Sequence, residues 1–157
     1  MGYPMEYKLV ADSCCDLTNE LKQEWGVTSV PLTLTLAEKE FTDDDNLDLP
    51  QFMAEMKACK GRVGSAAPAP GSYADAFKGA NAFAVTLSSS LSGSYASAMS
   101  GKSIAEETGA DVHVFDSRSA AAAEVLIVMK IRKLIHEGLQ KPEIITRVEN
   151  FIKEMRT

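Results

Sequence analysis

The chain has 157 residues, of which 45% are hydrophobic and 24% charged, the composition of a globular protein with one domain, or one domain and a small appendage. Its net charge of −6 argues against a surface that attracts nucleic acid or an anionic membrane. No apolar run approaches the roughly 18 residues of a membrane span, and no signal-peptide pattern opens the sequence, so we expect a cytoplasmic protein.

The first elements are predicted from short apolar runs and their stop signals. Residues 7–11 form an apolar run that ends in the turn-rich sequence Asp-Ser-Cys-Cys-Asp, and residues 19–25 repeat apolar side chains four apart, as one helical face does. Residues 27–37 alternate apolar and polar side chains, which predicts a strand. Pro31 restricts that strand to a sheet edge or to a strand with a bulge.

The middle of the chain is rich in acidic and loop-forming residues. Residues 38–48 are interpreted as a loop, and the acidic run 43–45 within it as solvated rather than metal-binding. Asp48 can cap a helix with an apolar stripe. Residues 57–73 are interpreted as a loop or short linker, overlapping the start of a short helix at 72–78.

The second half predicts strands and helices in alternation. Strands are expected at 82–87 and 112–115, and helices at 94–107 and 120–136. Pro142 opens a last amphipathic helix. This alternation predicts an α/β fold, namely a three-layer, Rossmann-like domain with a mainly parallel sheet.

Polar residues follow three of the predicted strands at the point where each strand ends. In open α/β sheets the carboxyl ends of the strands line the ligand crevice, so these residues are expected to meet at one edge. The pairs are Asp12-Ser13, Ser88-Ser89 and Asp116-Ser117.

The segment from Ser88 to Ser97 holds six serines at the predicted head of a helix. One serine would suffice to cap a helix, so the excess indicates a site that binds an anion through hydroxyls and amides. A serine hydrolase is disfavoured, because His113 and His136 fall mid-strand and at a helix end and no G-x-S-x-G elbow is present. The segment lacks the lysine of a nucleotide-binding loop, yet a phosphorylated ligand stays open as an alternative.

The three cysteines show neither a disulfide framework nor a metal-binding spacing. Cys14 and Cys15 are adjacent and Cys59 stands alone, so we interpret them as small residues that fill loops, with a redox role for the adjacent pair as the alternative.

We predict no metal, no cofactor and no catalytic residue.

Five segments together resemble the DegV family of bacterial fatty-acid-binding proteins, in that family's order and spacing from Lys8 to about Gly138. The segments are LVADSCCDLTNEL, VTSVPLTLTLAEKEFTD, SAAPAPGSYADAF, LSSSLSGSYASA and VHVFDSRSA.

The resemblance implies a non-catalytic carrier that sequesters a long-chain fatty acid between two domains, and that in some relatives presents it to a separate kinase subunit. Residues 7–157 correspond to the first, N-terminal α/β domain, and the family's second, C-terminal domain is expected to be absent from this chain. We therefore expect weak lipid binding by the chain alone, or self-association through an uncovered apolar face.

Carried over by position, the resemblance also implies the residues that hold the fatty-acid carboxylate. Ser65 stands where the family has a threonine, and Ser92 with Gly93 forms the centre of the site. Ser94 stands where the family motif has a threonine and is also a candidate. The strand-end residues Asp12, Ser13 and Ser117 are second-rank candidates, for which helix capping is the equal alternative to ligand contact.

The sequence departs from the family pattern at several places, among them Ala11, Cys14 and Cys15 in the opening motif and Ser94 for the threonine of the LSGTY motif. The family's TSQPS loop is Ser-Ala-Ala-Pro-Ala at residues 65–69, and its glycine-containing helix start is four alanines at 120–123. Two alternatives stay open beside fatty-acid binding: a binder of, or enzyme on, a small phosphorylated ligand, and a protein-interaction module without lipid.

Overall fold

The structure, a computed structural model, describes residues 6–155 and contains two sheets and six helices within that range. In chain order the elements are β1 (Lys8–Asp12), α1 (Asn19–Trp25), β2 (Val27–Val30), β3 (Thr33–Leu36), β4 (Lys39–Thr42), α2 (Leu49–Ala58), β5 (Val63–Ala66), α3 (Pro70–Phe77), β6 (Asn81–Thr86), α4 (Ser94–Glu106), β7 (Asp111–Asp116), α5 (Ala122–His136) and α6 (Lys141–Glu154).

The main sheet is parallel and has the order β2-β1-β6-β7, which confirms the predicted α/β class. The chain proceeds from β1 outward to β2 on one side and from β6 outward to β7 on the other. The strand order therefore reverses between β1 and β6, and in such sheets the ligand crevice opens at that reversal, beyond the carboxyl ends of the strands.

Alternate residues of the strands face opposite layers, as a sheet covered on both sides requires. Helices α3 and α4 cover one face, and α5 and α6 cover the other. The face toward α3 and α4 is built from Val10, Ala82, Ala84, Val112 and Val114. The face toward α5 and α6 is built from Leu9, Ala11, Phe83, Val85 and Phe115.

The predicted strand over 27–37 is in fact two strands in different sheets. Pro31 follows β2, which pairs with β1 in the main sheet, and β3 pairs with β4 and β5 in a small antiparallel sheet. Proline has no amide hydrogen and cannot continue a hydrogen-bonded ladder, so the chain leaves the main sheet there.

Two predicted loops are wrong, because each contains a strand. Residues 38–48 include β4 and residues 57–73 include β5, and these two strands form the edges of the small sheet. Both strands are largely exposed, so their side chains do not alternate between apolar and polar in the way that marks a half-buried strand.

The helix ends follow local chemistry, and this is why the sequence located them well. Thr18 accepts a hydrogen bond from the Leu21 amide at the start of α1, and Asp48 accepts one from the Gln51 amide at the start of α2. Gly26 ends α1 in the left-handed conformation, with φ of 64°.

Candidate functional site

Asp12 is the last residue of β1 and lies buried at the carboxyl edge of the sheet, beside the end of β6. Its side chain is 1% exposed, and its Oδ2 atom accepts hydrogen bonds from the Leu87 amide at 2.7 Å and from Ser94 Oγ at 2.6 Å. Its Oδ1 atom accepts from the Cys14 amide at 3.2 Å. Burial raises the pKa of Asp12, and these three donors oppose that rise by stabilising the carboxylate.

A short chain of hydroxyls links helix α3 to Asp12. Tyr73 Oη lies 2.6 Å from Ser94 Oγ, in the buried contact between α3 and α4. Since Ser94 gives its single hydroxyl proton to Asp12, Tyr73 must donate its own proton to Ser94. Burial raises the pKa of Tyr73, so it remains a neutral donor.

The serine loop, residues 88–93, folds back on itself before α4. The Leu91 and Ser92 amides both donate to the Ser88 carbonyl oxygen, at 2.9 and 3.0 Å. Ser92 Oγ accepts from the Ser94 amide at 3.2 Å. Within residues 6–155 no acceptor takes the Ser92 hydroxyl proton, so this proton is free to meet a ligand.

The head of α4 has no side-chain cap. Gly93 is the N-cap residue, and the first turn of the helix is closed by the Ser97 amide donating to the Gly93 carbonyl at 2.9 Å. The amides of Gly93, Tyr95 and Ala96 have no acceptor in the part of the chain that the structure describes. A helix start with free amides and the positive end of the helix dipole favours an anion.

Ser65 lies on β5, opposite Leu34 of β3, and is exposed. The loop that follows β5 reaches the head of α4, since a Cβ atom placed on Gly93 would lie 3.7 Å from Ala67 Cβ. The two predicted contacts with the carboxylate, from Ser65 and from Ser92, therefore come from neighbouring segments.

Ser13 and Ser117 use their hydroxyls inside the protein. Ser13 Oγ donates to Asp43 Oδ2 at 2.7 Å and accepts from the Leu32 amide at 3.0 Å, which joins the end of β1 to the small sheet. Ser117 Oγ donates to the Ser119 carbonyl at 3.0 Å and accepts from the Ser119 amide at 3.1 Å. Like Asp12 and Ser94, they therefore hold neighbouring segments together at this edge of the sheet through internal hydrogen bonds.

Glu124 and Tyr73 are two buried polar residues at this edge that sequence reasoning missed. Glu124 lies in the first turn of α5 and is fully buried. Burial first, and then the nearby Asp12, raise the pKa of Glu124 to about 9. The sequence held one signal for Glu124, because a glutamate directly after four alanines stands out in a predicted helix start. The sequence does not show, however, whether such a side chain is buried.

Neither histidine reaches the serine loop. His113 lies within β7 against Phe115, with 4.5 Å between ring centroids, and its Nε2 atom is 3.6 Å from a Glu149 carboxyl oxygen. His136 ends α5. Among the described residues, no group of three or more His, Cys, Asp or Glu side chains is arranged to hold a metal ion.

Over residues 6–155, every helix is too short or too polar to cross a lipid bilayer.

The fold defines the class of this protein, an α/β protein whose parallel sheet lies between two layers of helices. Over residues 6–157 the chain matches the family model described as "Uncharacterised protein, DegV family". The chain belongs to the DegV family.

Two curated relatives illustrate the match in sequence. A DegV domain-containing protein of Streptococcus pneumoniae strain R6 is 40% identical over 149 residues, which are 92% of this chain and 53% of that protein. One from Streptococcus gordonii is 36% identical over 152 residues, 94% of this chain and 54% of the relative. The chain thus spans about half the length of the curated relatives it matches.

Two solved structures illustrate the match in fold. A DegV family protein from Ruminococcus gnavus, refined with vaccenic acid, superposes with a TM-score of 0.89 at 34% identity, over 94% of this chain and 55% of the other. The Streptococcus pneumoniae Fatty Acid Kinase (Fak) B3 protein, loaded with linoleic acid, superposes with a TM-score of 0.82 at 35% identity, over 95% of this chain and 55% of the other.

Proposed function

We propose that this chain holds the carboxylate of a long-chain fatty acid at the head of α4, as a carrier without catalysis. The observation that carries the proposal is the hydroxyl proton of Ser92 beside the amides of Gly93, Tyr95 and Ala96, none of which has an acceptor within residues 6–155. Solved structures 34% and 35% identical to this chain hold vaccenic and linoleic acid, which supports the same ligand class here.

The charges around the site favour a singly charged anion over a phosphate dianion. Asp12 lies beneath the serine loop, and Asp116 accepts from the Ser89 amide at 3.0 Å at the loop's other side. Neither carboxyl forms an ion pair among residues 6–155. A ligand with one negative charge meets less repulsion from these carboxylates than one with two.

The acyl chain gains its binding free energy from burial, about 0.8 kcal/mol per methylene. On the side of the serine loop the site is open, and the Leu91 side chain is 71% exposed. We therefore infer that these 157 residues alone bind a fatty acid weakly and that additional apolar surface strengthens the binding. Self-association through an apolar face stays a prediction, for which Leu91 and Leu126 are exposed candidates.

We further propose that the bound fatty acid is presented to a kinase partner in the cytoplasm. The similarity to a protein named for fatty acid kinase supports the partner. The cytoplasmic setting is supported by the three cysteines, which are all free, as is usual in a reducing compartment.

The proposal is tested by Ser92→Ala. A hydrogen bond to a charged group contributes about 1.5–3 kcal/mol, so the variant is expected to bind cis-parinaric acid about ten-fold or more weakly in a fluorescence titration. Ser100→Ala is the matched control, because Ser100 is an exposed hydroxyl of the same helix that donates to its own Ala96 carbonyl at 3.1 Å.

Equal affinity of the two variants would show that the Ser92 hydroxyl does not contact the ligand. Competition by inorganic phosphate but not by oleate would instead support the alternative of a phosphorylated ligand. Native mass spectrometry of the chain after incubation with a fatty-acid mixture gives an independent answer, since a complete absence of bound lipid would contradict fatty-acid binding.

A further inference from the structure

Glu124 is a fully buried carboxyl that the proposed site does not use directly. Both of its oxygen atoms are shielded from solvent, and neither has a hydrogen-bond donor within residues 6–155. A glutamate at the third position of a helix commonly reaches back to the amide of the N-cap residue. Glu124 does not do this, and its side chain is directed into the protein instead.

Asp12 is the group that Glu124 meets. The nearby Asp12 raises the pKa of Glu124 beyond the rise that burial causes, and Glu124 in turn opposes part of the rise that burial causes in the pKa of Asp12. Two ionised carboxylates only accept hydrogen bonds and cannot pair with each other. One proton placed between the two residues would therefore give one of the two Glu124 oxygens a hydrogen-bond partner.

The hydrogen bonds decide which residue carries that proton. Asp12 already accepts from three donors, the amides of Leu87 and Cys14 and the hydroxyl of Ser94, and these favour its charged form. Glu124 has no such donors, so its charged form has no compensation for burial. The proton belongs on Glu124, which then donates to Asp12.

The other titratable groups around the pair are neutral acids. Tyr73 faces it from α3, and Cys14 and Cys15 face it from the loop after β1. Burial raises the pKa of all three, so they do not neutralise a second negative charge. Within residues 6–155, neither Asp12 nor Glu124 forms an ion pair with a lysine, arginine or histidine.

We propose that Glu124 and Asp12 share one proton, so that the pair carries a single negative charge beneath the serine loop. Glu124 is thereby a positioning residue, which holds Asp12 where it accepts hydrogen bonds from the Leu87 amide and the Ser94 hydroxyl. The inference rests on the proposed function in one respect, since the ligand whose binding it controls is the fatty-acid carboxylate. A second negative charge at this position would repel that carboxylate and strain the hydrogen bonds that anchor the head of α4.

The proton is tested directly by infrared spectroscopy of the whole chain. The wild-type protein at neutral pH is expected to show the carbonyl band of a protonated, unhydrated carboxylic acid, and Glu124→Gln is expected to lack it. Glu143→Gln is the matched control, because Glu143 lies in the first turn of α6 but is exposed and paired with Arg147. A wild-type spectrum without the band would overturn the inference.

The sharing of the proton is tested by Asp12→Asn. Removal of the neighbouring negative charge is expected to let Glu124 ionise more easily, so the acid band disappears at a lower pH in Asp12→Asn than in the wild type. An unchanged midpoint would show that Asp12 does not share the proton.

The functional consequence is tested by the pH dependence of cis-parinaric acid binding. From neutral pH to about pH 10, wild-type affinity is expected to fall roughly five-fold or more relative to Glu124→Gln, which cannot ionise, while Glu143→Gln follows the wild type. Parallel profiles for wild type and Glu124→Gln would overturn the positioning role. Absence of binding in every protein would contradict the proposed function. The infrared result would still show whether Glu124 carries a proton.

Discussion

At the scale of single residues, Gly93 separates the demands of the fold from those of the ligand. Its φ of −73° is open to any amino acid, and a Cβ atom there would only make an ordinary contact with Ala67. The fold therefore does not require glycine at this position. A ligand that approaches the free amides at the head of α4 would require glycine there, because the methyl group of an alanine would block its approach.

Gly93→Ala is accordingly expected to change the free energy of unfolding by less than about 0.5 kcal/mol, as substitutions outside the core usually do. The same variant is expected to bind cis-parinaric acid several-fold more weakly. Urea denaturation and fluorescence titration of one preparation measure both quantities. Unaltered affinity would mean that the ligand does not approach the amides from this side.

At the scale of elements, the contact between α3 and α4 positions the hydroxyl chain from Tyr73 to Asp12. Gly101 makes this contact close, since a Cβ atom there would lie 2.6 Å from Tyr73 Cβ and 2.7 Å from the Pro70 carbonyl oxygen. One of these neighbours is backbone and cannot rotate away. The two helices can lie this near each other only because residue 101 has no side chain.

Gly101→Ala is expected to lower the free energy of unfolding by about 1–3 kcal/mol, the usual cost of overpacking, because α3 and α4 must move apart. Gly71→Ala is the control within α3, where an added Cβ meets no atom within 4 Å. That control is expected to lose no stability, since alanine is the better helix former. Urea denaturation of both variants measures the difference, and equal stabilities would contradict the close packing.

At the scale of the whole molecule, the buried carboxyl pair couples folding to pH. The pKa of Glu124 is about 9 in the folded protein against 4.5 ordinarily, so between these values the folded state binds one more proton than the unfolded state. Stability from this group is therefore greatest at acid pH and falls as pH rises from about 5 to about 9. The slope approaches 1.4 kcal/mol per pH unit for one whole proton.

The corresponding prediction compares the free energies of unfolding of wild type and Glu124→Gln as pH rises from about 5.5 to about 8.5. The difference is expected to shift in favour of Glu124→Gln, because glutamine has no proton to lose. His113, whose pKa is lowered chiefly by burial, titrates in both proteins and cancels in the comparison. A difference that stays constant with pH would mean that Glu124 is already ionised.

The sequence alone determined the helices, the parallel strands and the edge at which their polar ends meet. Apolar spacing is a local feature, and it placed α1 at the residues where the structure has it. The capping residue Asp48 is equally local, and it marked the start of α2. The order of five motifs determined the family and the position of Ser92. All of these are properties of neighbouring residues along the chain.

Only the tertiary structure decided which hydroxyls remain free and which carboxyl keeps its proton. Ser13 and Ser92 are both serines near strand ends, yet Ser13 gives its proton to Asp43, whereas the Ser92 hydroxyl proton has no acceptor within residues 6–155. Glu124 meets Asp12 across more than a hundred residues of chain. Hydrogen bonds and burial depend on such distant partners, and no pattern of neighbouring residues contains them.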